Sequence, residues 1–151
     1  MRTPRLISAG LLAASLLSAD KIVTDIELKD LPAAVHDAAS KRTPAGGVLR
    51  SFEREVINGE TFYEVKMSLP NKGSREILFR PDGSIFEVEE PSTLSAVPPA
   101  ARAAIQNAAK SGELVKVDLI TRGSLVLYEG EIQKDGRKRS VRFDSAGRLV
   151  E

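Results

Sequence analysis

His36 is the only histidine in this 151-residue chain, and cysteine is absent. Zinc and iron sites draw on those two residue types, so both lack their usual donors here. A Ser–His–Asp arrangement would have to recruit His36 with a serine that no Gly-x-Ser-x-Gly elbow marks. No Asp-rich loop has the spacing of a calcium loop. Carboxylates pair at i and i+2 in Glu53/Glu55 and Glu87/Glu89, which places each pair on one face of a strand. A solvated sheet face is the expected role for them, rather than an acid/base couple. The expectation is a chain that is not an enzyme and carries no catalytic residue, cofactor or metal.

Binding chemistry has more candidates. Lys134, Arg137, Lys138, Arg139 and Arg142 form the densest charge cluster, around an Asp135-Gly136 turn. Lys138 and Arg142 share one strand face there and Arg139 takes the other, so Lys138 and Arg142 are the candidate basic contact. Charges on such a hairpin also discourage edge-to-edge pairing. The interleaved aromatics of a nucleic-acid stacking surface are missing, which argues against a nucleic-acid partner. Tyr63 and Tyr128 are expected to pack their rings at a helix–sheet core. Phe62, Glu64 and Lys66 alternate with Tyr63 and Val65, and so face the other way. Leu125, Leu127 and Glu129 form the matching set further along. An exposed face holding Phe62, Leu125 and Leu127 among charges would be an apolar partner patch.

The elements that carry these residues come in two similar runs, 31–90 and 97–151. Each begins with an Ala-rich helical pattern and continues in four strand-like segments. Tyr63 and Tyr128 lie 65 positions apart, Phe79 and Phe143 64 apart, and Gly83 and Gly147 64 apart. One deletion in a hairpin turn reconciles the two registers. Asp30 is the expected N-cap of the first helix, with Pro32 in its first turn. Strands are expected over 48–56, 61–69, 75–80 and 85–89, then over 114–121, 125–133, 138–144 and 148–151. Asn58-Gly59 and Asp135-Gly136 are strong hairpin signals. Turns at this spacing predict antiparallel meanders rather than βαβ units. The expected fold is α+β: two tandem repeats, each one helix packed on a four-stranded antiparallel meander, with joining of the two in one curved sheet as an open alternative.

Residues 1–19 read as a signal peptide. Arg2 and Arg5 supply the positive start, Leu6 to Leu17 the apolar stretch, and Leu17-Ser18-Ala19 the cleavage site. Residues 20–30 form a lead-in and 91–96 a linker between the two copies. Without the segment, Lys+Arg falls from 22 to 20 against 21 Asp+Glu, leaving a chain near −1 with no global basic charge. With no cysteine there is no lipid attachment at a processed N-terminus and no disulfide, so packing must supply stability. A periplasmic or secreted protein, a monomer or weak dimer without membrane insertion, is expected.

The chain resembles the PepSY-like family of exported bacterial proteins, whose fold is related to that of β-lactamase inhibitory protein. Leu31-Pro32-Ala33-Ala34-Val35, Tyr63-Glu64-Val65 and Asp82-Gly83-Ser84-Ile85 carry the resemblance. The second copy keeps Val97-Pro98, Tyr128-Glu129 and Gly147. It departs in having Gly130 where Val65 stands and Ala146 where Asp82 stands. The resemblance implies tandem helix-plus-sheet units and a non-catalytic module that binds, and in some cases inhibits, an extracytoplasmic protein such as a peptidase or cell-envelope enzyme. A sensor of small ligands or ions, using the carboxylate-rich strands, is the alternative.

Overall fold

The computed structural model describes residues 20–150 and the backbone of Arg5–Leu6. The segment read as a signal peptide otherwise lies outside the described residues. The strands are β1 (Arg5–Leu6), β2 (Lys21–Ile26), β3 (Val48–Ile57), β4 (Glu60–Ser68), β5 (Ser74–Phe79), β6 (Ile85–Pro91), β7 (Glu113–Arg122), β8 (Leu125–Lys134) and β9 (Arg137–Phe143). Among the described residues two α-helices interrupt them, α1 (Ala33–Arg42) and α2 (Pro99–Ala109). No helix among the described residues is long and apolar enough to cross a membrane. The chain divides into two compact units, Met1–Val88 and Glu89–Glu151.

In the first unit, Val35 and Ala39 of α1 are buried against Val65 and Met67 of β4 and Ile77 and Phe79 of β5. Tyr63 packs its ring on this cluster, as its alternation with Val65 and Met67 requires. The β3–β4 hairpin turns on Asn58-Gly59, both at positive φ, which matches the strand twist. Gly83 fixes how closely α1 approaches the sheet turn. Its φ is +82°, and a Cβ there would sit 2.5 Å from the Ala34 carbonyl oxygen. Asp30 is not the N-cap of α1; Pro32 holds that position. Asp30 instead accepts a hydrogen bond from the Glu27 backbone N–H, at 3.1 Å, and closes the 3-10 turn Leu28–Asp30.

In the second unit, Ala101 and Ile105 of α2 are buried with Val117 and Phe143, and Tyr128 packs on them. Ile105 is the larger counterpart of Ala39, and the sheet makes room for it. A Cβ on Gly130 would lie 2.8 Å from Ile105 Cγ2, so glycine stands where the first unit has Val65. Arg139 satisfies the end of α2 by donating to the Ala108 carbonyl and to Ser111 Oγ, both at 2.9 Å.

The expectation of two repeats, each one helix on its own four-stranded meander, is overturned. The strands run in a single nine-stranded order from β1 to β9, every strand beside its neighbour in sequence. β6 is shared, with residues 85–88 in the first unit and 89–91 in the second. Within the 20–30 lead-in, β2 forms a full strand that pairs with β3 from Lys21↔Ile57 to Ile26↔Phe52. The fourth strand of the second copy does not form, and one bridge, Phe143↔Leu149, stands in its place. Asp144 Oδ1 accepts from the backbone N–H groups of Ala146 and Arg148, at 3.0 and 2.9 Å, and beyond this turn the Val150 N–H donates to the Arg142 carbonyl at 2.8 Å.

Candidate functional site

Side chains alternate across a strand, so the residues next to the helix-packed ones line the opposite face of the sheet. That face carries the candidate residues, and most are less accessible than a partner patch requires. Phe62 is 3% exposed and Leu127 is fully buried, whereas Leu125 is 41% exposed. Phe62 is covered partly by Phe86, with ring centroids 4.7 Å apart, and the Arg80 guanidinium lies over Phe86. Lys66 forms an ion pair with Glu76. The carboxylate pairs read as a solvated face are also largely withdrawn from water. Glu55 and Glu87 are buried, and Glu89 is mostly so.

The hairpin registers gather these acids into two clusters. Glu53 lies opposite Glu64, and Asp118 lies opposite Glu129. Carboxylate oxygens of Glu53, Glu55 and Glu64 all fall within 4.8 Å of one another, and so do those of Glu89, Asp118 and Glu129. Asp118 was missed in the sequence. Its pairing with Glu129 follows from the short turn after Arg122, and that register was the signal available.

The two clusters are neutralised differently. In the second unit, Lys116 Nζ lies 3.1 Å from both Glu89 Oε1 and Asp118 Oδ2. Arg142 Nε donates to Glu129 Oε2 at 2.6 Å, and its guanidinium stands 3.8 Å from Glu89. Ser140 Oγ donates to the other Glu129 oxygen at 2.9 Å. Arg142 is therefore committed inward. Lys138 is more exposed and pairs with Glu131 at 2.8 Å. In the first unit, Lys21 Nζ holds Glu55 Oε1 at 2.8 Å, while the buried Glu55 Oε2 has no hydrogen-bond partner.

Acidity follows from these surroundings. Burial, reinforced by the charges of Glu55, Glu76 and Glu53, pushes the Glu64 carboxyl up to about 8, against a smaller opposing pull from Lys21. Glu53 is raised by burial and by Glu55 and Asp25. Glu89 is raised to about 7 by burial and by Glu129 and Asp118, although Lys116 pulls the other way. Burial alone would lower Lys116, but its contacts with Asp118 and Glu89 outweigh that and raise it.

His36 is half-exposed on α1, with Nδ1 3.6 Å from Asp37 Oδ1. Among the described residues, no serine is hydrogen-bonded to it.

No family model matches the chain, and no curated protein matches its sequence. Solved structures do match. A DUF2874 family protein of Bacteroides uniformis superposes with a TM-score of 0.58 at 19% identity, over 80% of this chain and 86% of that one. A candidate periplasmic protein of Bacteroides eggerthii gives 0.59 at 19% identity, over 80% and 86%. A BLIP-like protein of Bacteroides fragilis gives 0.50 at 17% identity, over 78% and 82%. The fold is thus BLIP-like, which agrees with that part of the resemblance read from the sequence, while the two separate repeats it also implied do not form.

Proposed function

We propose that the chain is a non-catalytic binding module of the cell envelope that engages another protein, as an inhibitor or docking subunit. The fold likeness to a BLIP-like protein carries this reading, and the likeness to a candidate periplasmic protein supports the compartment. The N-terminal pattern of residues 1–19 supports export. The contact differs from the one expected in the sequence. Phe62 and Leu127 are buried, so they support the surface from beneath instead of anchoring a partner. Leu125 remains, and Val126 beside it is equally exposed, both at the β7–β8 turn. Apolar side chains at an exposed turn on a rigid sheet suit a small partner contact. Lys138, on β9 beside the far end of β8, adds a basic contact for an acidic partner.

Affinity enrichment from an envelope extract of the source organism tests this reading. The wild-type protein is expected to retain a discrete partner that the Leu125→Asp/Val126→Asp variant loses. Equal recovery with both proteins would show that this turn is not the contact.

A further inference from the structure

We propose that Glu53, Glu55 and Glu64 bind a calcium ion. The inference goes beyond the protein-binding reading and does not depend on it. It rests on geometry and on a comparison of the two clusters within one molecule.

In the second unit, three clustered carboxylates are matched by two cations, Lys116 and Arg142. The registers identify what stands at the same positions in the first unit. Lys116 follows a bulge in β7 after Leu114, and Ser51 follows the corresponding bulge in β3 after Leu49. Arg142 is paired with Glu129, and Leu78 is paired with Glu64. The first unit therefore has a serine and a leucine where the second has a lysine and an arginine. Among the described residues, Glu53 and Glu64 make no ion pair, and Lys66 is engaged by Glu76.

Glu55 adds an independent sign. It is 1% exposed, Lys21 takes one of its oxygens, and the other is buried without a hydrogen-bond partner. A buried carboxylate oxygen left unsatisfied is costly unless something occupies the space it faces. One carboxylate oxygen of Glu55 lies within 4.8 Å of oxygens of Glu53 and Glu64. That limit is about twice a calcium–oxygen distance, the spacing of oxygens on opposite sides of one ion. The donor set is oxygen only, which selects a hard cation. Calcium tolerates irregular carboxylate geometry and takes water for the rest of its shell, whereas magnesium demands a near-ideal octahedron.

Isothermal titration of calcium chloride into the purified protein, at constant ionic strength, tests the proposal. One ion per chain is expected, with a rise in Tm that magnesium reproduces weakly. Glu64→Gln is expected to weaken Kd about tenfold or more through loss of a charged ligand. Ser51→Lys, at an exposed position, places a cation where the second unit has Lys116 and is expected to do the same. Glu89→Gln, in the other cluster, is expected to leave Kd unchanged. Should Glu64→Gln fail to fold by circular dichroism, the less buried Glu53→Gln and the Ser51→Lys variant give the same test. No saturable heat in the wild type would overturn the proposal. Binding that survives Ser51→Lys and Glu64→Gln but is lost in Glu89→Gln would also overturn it.

Discussion

Replacing Gly130 by Val tests whether the two units solve one packing problem with opposite choices of size. A Cβ at position 130 meets Ile105 Cγ2 at 2.8 Å and Leu114 Cδ1 at 3.2 Å. Ile105 is β-branched on a helix and holds essentially one rotamer, so it yields little. Overpacking of this kind costs about 1–3 kcal/mol. Replacing a strand glycine returns up to about 1 kcal/mol of that. Ile105→Ala alone opens a void in a fully buried position and costs about 2–5 kcal/mol. Together the two substitutions recreate the Ala39/Val65 arrangement of the first unit. The double variant is therefore expected to be more stable than the sum of the single losses, by a coupling of about 1–3 kcal/mol. Urea denaturation of the four proteins measures this, with equal m-values as the check on two-state behaviour. A coupling near zero would refute the size exchange and leave Gly130 to be explained by strand geometry alone.

Three further outcomes follow from the same contacts. Gly83→Ala is expected to destabilise more than Gly59→Ala by about 1–3 kcal/mol, read as a lower urea midpoint. Both positions have positive φ, but only at Gly83 does the added Cβ strike the α1 backbone. Arg142→Leu removes the guanidinium from buried Glu129 and is expected to cost about 3–5 kcal/mol in the same assay. The pH dependence follows from Glu89. Its folded value, about 7, is above the ordinary 4.5, so its contribution to stability is complete below pH 4.5 and is lost as pH rises through 7. Tm is expected to fall between pH 5 and 8, and Glu89→Gln should flatten that slope.

The turns and the periodicity were well marked in the sequence. Asn58-Gly59 and Asp135-Gly136 set their hairpins, and the alternation around Tyr63 and Tyr128 identified the helix-packed face. Strand pairing between the copies was not legible. β6 has two neighbours, and a local pattern does not say that one strand serves both units. The last segment carried a strand pattern, yet it forms a single bridge, Phe143↔Leu149, with the Arg148 N–H held by Asp144.

The site was half visible for a related reason. A two-residue turn at Asn58-Gly59 already places Glu53 opposite Glu64 and Glu55 opposite Phe62. Burial of that face was the missing step, because alternation separates two faces without saying whether the second is wet. Charged residues beside Phe62 and Leu127 suggested solvent, but those charges are largely spent on one another. Lys116 and Arg142 neutralise one cluster. Gly130 was visible only as a departure from the first copy, and its meaning became clear with Ile105 in place.

Site-specific photo-cross-linking in the intact cell envelope tests the binding-module account most directly. A photoreactive residue replaces Leu125 in one variant and Lys41, an exposed residue of α1, in another. The account predicts one discrete adduct at 125 and none at 41. No adduct at 125, or the same adducts at both positions, would contradict it.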